Sequence, residues 1–430
     1  MGTSIELCIG EVSLSYSKNH MGEDYGCLFQ EQDLCRRKSD AIDYDYYEEH
    51  PEEKPDLAIA EELFARPLSR IKPRLEILGF SLECARNEYN AIIAEAMELA
   101  DFMNGRDSAS QFLTFEEFCS LACRYPISDL NSESIEFETP NRDQLAQGRF
   151  ASEMDLIQRV PNNWDADSYW SESSFFSEKL CILSAESMLQ VFALNPANIN
   201  IDVTWAFGPI VNAGWVQRDM FSAGARRKQK ILIATEGQSD SRIIRRALDI
   251  LRPDVADFFY FIDVDETHHY WGTGNLVKFA EGLLRIDILN QVLFVLDNDA
   301  EGVDAILKLE NLNLPSNMRA MLLPDLEEFK EFSTVGPEGV NSSDINGRAA
   351  AIECYLDLNL DSYPAAQVLW SNFKREIITW HGALEFKESY SKKFYSQSDA
   401  SLQDGSYDMS KLSQLIDALI ANAKLIHSSV

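Results

Sequence analysis

The sequence predicts an α/β protein, with a parallel sheet and crossover helices in its C-terminal half and an α+β N-terminal domain before it. Three observations predict this class. Two short runs, Ile231-Leu232-Ile233-Ala234-Thr235 and Val292-Leu293-Phe294-Val295-Leu296, are continuously apolar and rich in β-branched or aromatic residues, as strands covered on both faces are. Each run ends in acidic residues and a glycine and is followed by a helix-like pattern. Further apolar runs at 258–262 and 318–323 alternate with helical stretches, in the order that a crossover-connected parallel sheet requires.

Taken in order, residues 4–9 alternate as a strand, Gly10-Glu11 turns, and 12–16 alternate again. Ser17-Lys18-Asn19-His20 reads as a surface turn. Residues 41–57 hold Asp43, Asp45, Glu48, Glu49, Glu52, Glu53 and Asp56 with Pro51 and Pro55, a composition that predicts a solvated or disordered loop. Its three tyrosines, Tyr44, Tyr46 and Tyr47, leave room for a docking role. The period then becomes helical: a helix over 58–64, a long one over 73–102, and one opening at Phe115 behind a Thr114 cap. Residues 131–163 are polar, punctuated by Pro140, Gly148 and Pro161, and read as a connector. A helix is expected over 175–192, and 198–215 alternates as strand with a turn near Gly208-Pro209. The expected division is an N-terminal domain at 1–215, a basic linker at 216–228 and a second domain at 229–430.

Composition bounds the function. The chain has 430 residues, 45% hydrophobic and 25% charged, enough for two or three domains with full cores. No apolar span is long enough to cross a bilayer, and the first residues lack a secretory pattern. Glu6 stands where a myristoylation signal needs Ser or Thr. The eight cysteines are scattered, and Cys119 and Cys123, the close pair, fall on one expected helix with no histidine near. Core packing and a reduced, cytoplasmic setting are expected. A net charge of −32 opposes indiscriminate nucleic-acid binding. The densest positive region is Arg226, Arg227, Lys228 and Lys230, joined by Arg242, Arg245 and Arg246 on the following helix. These are the candidate phosphate contacts, and a solvated helix face is their alternative.

The chemistry sits at the strand ends. Glu236-Gly237 with Asp240 closes the first run, and Asp297-Asn298-Asp299-Ala300-Glu301-Gly302 closes the later one. In open α/β sheets the carboxyl ends of strands are where ligands bind. Carboxylates gathered there repel one another unless a hard cation neutralises them, and Mg²⁺ takes one or two carboxylates with water and substrate phosphate. A Mg²⁺ or Mn²⁺ site for phosphodiester chemistry is expected.

These residues carry a resemblance. A Glu-Gly after one strand and an Asp-x-Asp-x-x-Gly after a later one resemble the TOPRIM domain of topoisomerases, bacterial primases and OLD-type nucleases. The resemblance implies that Glu236, Asp297 and Asp299 hold catalytic metals, and that Asp240 is similar to a second acid in OLD-type nucleases. The segment Gly347-Arg348-Ala349-Ala350-Ala351-Ile352-Glu353 is similar to one in which an Ile-Glu pair gives a further metal ligand, here Glu353. Ala351 stands where that family often has Ser. The same comparison implies a C-terminal lysine at the scissile phosphate, first Lys387 and then Lys393. A second Asp-x-Asp, Asp263-Val264-Asp265, and the following His268 and His269 are neighbours of lesser rank. The first domain is similar in general pattern to the N-terminal module of defence-associated proteins that end in TOPRIM or HEPN domains. The implied function is a metal-dependent nuclease in anti-phage defence, acting on DNA or RNA.

No P-loop pattern occurs in the sequence, so the resemblance covers only the nuclease half of OLD-type enzymes. It leaves room for a separate ATPase or other activating protein, and for a homo-oligomer. No tyrosine stands out for a topoisomerase. Two alternatives remain open. One is a noncatalytic acidic regulator or interaction subunit. The other is a HEPN-like RNase using Arg375 and His381, within 364–393 read as helical.

Overall fold

The computed structural model describes residues 2–40, 42–104, 112–161, 169–262, 272–361, 363–375 and 378–426. It divides into two compact units, Met1–Ala225 and Arg226–Val430. Among the described residues no helix is long and apolar enough to cross a membrane. Asp263, Asp265, His268 and His269 lie outside the described residues.

The first unit is built on a five-stranded antiparallel sheet. Its strands are β1 (Ser4–Ile9), β2 (Val12–Lys18), β3 (Leu34–Arg36), β4 (Glu62–Pro67) and β5 (Asp202–Trp205), in the order β2-β1-β5-β4-β3. Alternation in β1 buries Ile5, Leu7 and Ile9, so one face of the sheet is committed to the core. An aromatic cluster fills that core: Phe64 packs on Phe29 and Trp205, and Phe207 stacks on Phe221 at 4.7 Å between centroids. Thr114 caps Phe115–Ala122: its Oγ1 accepts from the Glu117 N–H and the Glu117 carboxylate accepts from the Thr114 N–H, the reciprocal box expected of Thr-x-x-Glu.

Several expectations for this unit are corrected. The acidic stretch is not an irregular loop: Tyr44–Glu49 and Lys54–Ala60 are helices, and Tyr47, Ile42 and Ala60 form a small core of their own. The helix expected over 58–64 ends at Ala60, and its later apolar residues, Leu63 and Phe64, belong to β4, where Phe64 pairs with Leu34 and Trp205. The long helix over 73–102 is two, Leu68–Ile77 and Leu82–Asn104, parted at Gly79 with φ +93°, a backbone state that suits glycine. Helix 175–192 is also two, Glu172–Leu180 and Ala185–Phe192. The connector holds short helical turns, among them Arg142–Ala146 and Met154–Ile157. Strand over 198–215 shrinks to β5, because Gly208–Asn212 is helical. Polar and proline-rich composition hid short elements that tertiary contacts stabilise.

The second unit carries the parallel sheet. Its strands are β6 (Ile231–Thr235), β7 (Phe259–Phe261), β8 (Gln291–Leu296) and, after the two-residue β9 (Asn298–Asp299), β10 (Met318–Leu322). The order is β10-β8-β6-β7, every pair parallel. All six residues of β8 are buried, and its five apolar side chains contribute roughly 10 kcal/mol of gross burial. Helices Thr273–Arg285 and Ala300–Glu310 bury Leu276, Ala280, Ala305 and Leu309 against Val292, Phe294 and Leu296. Helix Gln238–Leu251 packs with Ser410–Ala423. From β6 the chain crosses to β7 on one side, then returns past β6 to β8 on the other. Right-handed crossovers in opposite directions put their helices on opposite faces. The strand order therefore reverses between β6 and β8, which makes a crevice at their carboxyl ends.

A smaller sheet follows, of β11 (Phe332–Gly336), β12 (Gly339–Ser343), β14 (Val368–Lys374) and β15 (Thr379–Leu384), in the order β12-β11-β14-β15. The short β13 (Ala349–Ala350) pairs instead with β9. The helical reading of 364–393 is overturned here, since most of that stretch is the antiparallel pair β14–β15, with helix Lys387–Ser396 after it. Arg375 sits just past β14 and His381 on β15, so the HEPN-like arrangement on helices is absent from these two residues.

Candidate metal centre

The acids converge at the reversal between β6 and β8. Glu236 follows the last residue of β6 and Asp297 the last residue of β8. The Asp297 backbone N–H donates to Glu236 Oε1 at 3.1 Å, tying the two strand ends together. Asp297 Oδ1 accepts from the Ile352 N–H at 3.0 Å, which brings the turn carrying Glu353 against the same point. Asp240 folds back at the start of Gln238–Leu251, its Oδ2 accepting from the Gly237 N–H at 2.9 Å and its Oδ1 from Ser239 Oγ at 3.1 Å.

Asp299 stands at the other side of the cluster as the cap of Ala300–Glu310. Its Oδ1 accepts from the Glu301 and Gly302 N–H groups, both at 2.8 Å, where a carboxylate also meets the positive end of the helix. Its Oδ2 lies 3.8 Å from His381 Nδ1, a buried nitrogen with no hydrogen-bond partner. Gly302 has a steric reason: a Cβ there would come within 2.0 Å of the Asp297 carbonyl oxygen. The glycine of the Asp-x-Asp-x-x-Gly run lets the helix close onto the strand end. Asn298, between the two aspartates, is buried and structural, donating to Asp325 Oδ1 at 2.7 Å and accepting from the Gly347 N–H at 2.8 Å.

The electrostatics follow from this packing. Burial, reinforced by Asp299, Asp240 and Glu301, pushes the Glu236 carboxyl up to about 8. Burial and the charge of Glu353 push Asp240 up to about 7, with Lys387 opposing. Asp297 lies well above the usual carboxylate range, through burial first and then Asp240, Glu236, Asp299 and Glu353. Like charges held in a poorly solvated crevice disfavour ionisation. The five sequence-selected acids thus form one mutually repelling set, and Lys387, opening helix Lys387–Ser396, reaches it electrostatically.

The donor chemistry of this set, carboxylate oxygens without thiolates, fits a hard divalent cation. In the positions they hold, no three His, Cys, Asp or Glu side chains among the described residues close round a single point as a metal cage would. The fit therefore lies in the donor type and in the unneutralised charge. Glu236, Asp240, Asp297, Asp299 and Glu353 are the residues that could hold Mg²⁺ or Mn²⁺.

Other candidates are placed differently. Arg226, Arg227 and Lys228 lie before the first residue of β6, at the end of the strand opposite Glu236, about 17 Å away at ~3.3 Å per residue. Arg242 lies two residues beyond Asp240 on the helix that starts at the acid cluster, and Arg245 faces Asp249. Arg246 is committed elsewhere, donating to the carbonyls of Phe394, Tyr395 and Gln397 and to Asp399. Lys393 is held by Asp357 and the Asn359 carbonyl, each at 2.5 Å. Sequence reasoning missed Glu301, which adds charge to the set and pairs with Lys374 at 2.9 Å. Its place inside the acidic run was the available signal; Lys374, on a distant strand, had none.

The fold and site define an α/β protein with a buried carboxylate cluster at the reversal point of a parallel sheet, in a unit that follows an antiparallel-sheet unit in the sequence. Residues 1–229 match the family described as HEPN/Toprim N-terminal domain 1, and the chain belongs to that family. No curated protein and no solved structure gave a match to it.

Proposed function

We propose that the second unit is a TOPRIM-like, Mg²⁺- or Mn²⁺-dependent nuclease, and that the protein is a cytoplasmic effector of anti-phage defence. One observation carries the reading: Glu236, Asp240, Asp297, Asp299 and Glu353 meet at the crevice of the parallel sheet with little neutralising charge. The family's description couples its N-terminal module to HEPN or Toprim. The unit after residue 229 is a parallel α/β sheet rather than a helical bundle, which favours the second of these.

When bound, the divalent ions supply an activated water and Lewis acidity toward a phosphodiester. Glu236, Asp297 and Asp299 would hold them, with Asp240 and Glu353 completing the set. Lys387 offers positive charge to the phosphate oxygens as negative charge grows there. Arg242 is placed to meet the flanking backbone, and Arg226, Arg227, Lys228 and Arg245 would act farther along the strand. The substrate is DNA or RNA, and a separate ATPase or other activating protein, or self-association, is a natural means of gating so acidic a chain.

The net charge of −32 favours a second reading, an acidic regulator that engages a partner without cutting. The test is cleavage of plasmid DNA and total RNA by the full chain in Mg²⁺, Mn²⁺ or chelator, beside Asp297→Ala/Asp299→Ala. Metal-dependent cutting that disappears in a folded double variant supports the nuclease. Cutting that survives the double variant removes these two aspartates from the chemistry, and absence of cutting in every metal supports the regulator.

A further inference from the structure

The smaller sheet carries a half-open cleft of about 270 Å³ lined by Thr334, Asn341, Ser343, Arg348, Trp370 and Trp380. We propose that this pocket receives one unpaired nucleobase of a single-stranded nucleic acid. The substrate class rests on the nuclease reading, but the residues are not those of the acid cluster.

The pocket is built around a flat indole. A Cβ on Gly336 would lie 3.1 Å from Trp370 Cδ1, and one on Gly382 2.7 Å from Trp370 Cε3. Glycine at both positions lets the ring lie close against the neighbouring strands β11 and β15. The Arg348 guanidinium sits 4.5 Å from the Trp370 ring centroid. Its Nη1 donates to the Asp344 carbonyl at 3.1 Å, while its Nε is buried with no hydrogen-bond partner. A buried N–H without an acceptor is uncommon and costly, and here it belongs to a residue that lines a cavity. Trp380 supplies a second indole, in edge contact with Phe373 at 5.7 Å.

The chemistry selects the occupant. The volume is below the usual range for drug-sized ligands and suits one planar ring system. Arg348 and Glu338, both lining the cavity, balance in charge, so the pocket has no excess to draw in a phosphate. A neutral heterocycle uses everything present: two indoles and a guanidinium plane for stacking, with an amide, hydroxyls and a carboxylate for its edge. The pocket is tied to the proposed chemistry through the backbone, because Arg348, which lines it, bridges Asp299. A paired base would first have to leave its stack to enter such a site, so a single strand binds more readily than a duplex.

The test is binding, separate from cutting. Fluorescence anisotropy of a labelled short oligouridylate and oligothymidylate is measured on the full chain in Ca²⁺, beside Trp380→Ala, Trp380→Phe and Arg348→Ala. Trp380→Ala and Arg348→Ala are each expected to weaken binding about tenfold, within the range for loss of one base–aromatic stack, with Trp380→Phe restoring most of it. An abasic strand is expected to bind wild type as weakly as the intact strand binds Trp380→Ala. Equal affinity of abasic and intact strands, or of Trp380→Ala and wild type, overturns the pocket while leaving metal-dependent cleavage to stand. Indole-dependent strand binding without cleavage in any metal upholds the pocket and removes the nuclease. No strand binding by wild type overturns the pocket, whatever cleavage shows.

Discussion

The first unit and the crevice of the second handle buried acids in opposite ways. In the first, Glu172 is almost wholly buried, yet it accepts from the Asn131 N–H at 2.8 Å, the Arg149 N–H at 2.7 Å and Arg149 Nε at 2.9 Å. Asp33 likewise meets the buried Arg66 at 3.0 Å. In the crevice Glu236, Asp240 and Asp297 accept from backbone N–H groups, but the charges around them are mostly those of other acids. Paired acids hold a fold together, whereas acids aimed at each other cost stability and are kept for something that arrives later. The contrast separates scaffold from site without reference to any relative.

The largest expected effect tests that contrast directly. Asp297→Ala/Asp299→Ala should lower metal-dependent cutting at least about a thousandfold, since a metal centre supplies several kcal/mol to the barrier. Initial rates on supercoiled plasmid or RNA would measure it, and a smaller loss would make these acids scaffold after all.

Next comes pH. Glu236 and Asp240 are raised in the folded chain, to about 8 and about 7, so the native state binds more protons than the unfolded one between roughly pH 4 and 8. Stability of the metal-free second unit should therefore fall as pH rises through that window, by on the order of 3 kcal/mol. Hydrogen exchange of peptides from β8, recorded in chelator, would follow it. A flat profile there would mean that the acids are already neutralised. The first unit's peptides around Glu172 serve as the internal control.

Gly302→Ala should destabilise the second unit by about 2 kcal/mol through overpacking, because the new methyl meets a backbone carbonyl rather than a yielding side chain. It should also depress cutting by moving Asp297, as thermal unfolding and rate measurements on one preparation would show.

The sharpest comparison uses one chemical change twice. Glu172→Gln should cost about 2 kcal/mol, the lower side for a broken buried pair since Arg149 stays partly solvated. Asp297→Asn, in chelator, should instead stabilise by about 1 kcal/mol, relieving like-charge contact while keeping an acceptor for the Ile352 N–H. Denaturant midpoints decide it. Two losses of equal size would erase the distinction drawn between the units.

How much was legible depended on whether local pattern and tertiary role agreed. β6 and β8 declared themselves because continuous apolar runs have few other fates, and Glu236, Asp297 and Asp299 followed from being at their ends. Glu353 and Lys387 came only through resemblance; nothing in their own neighbourhoods shows that the chain returns them to the crevice. Arg226, Arg227 and Lys228 lie farther from the acids than their nearness in sequence suggests: they precede β6, whose far end carries Glu236. The β14–β15 pair was taken for helix because polar and aromatic residues there follow neither period cleanly, their register shifting between Trp370 and Asn372. The helices at 44–60 were hidden by a composition that suits solvent, although Tyr47 turns inward.

The hydrogen bond from the Asp297 N–H to Glu236 gives the strand ends a built-in reporter. A carboxylate oxygen shared between a backbone amide and an incoming ion must weaken its hold on one to bind the other. Loading of the centre would thus be felt as loosening at a single peptide group of β8's exit, and the Asp297 amide resonance would register occupancy even in a variant that cuts nothing.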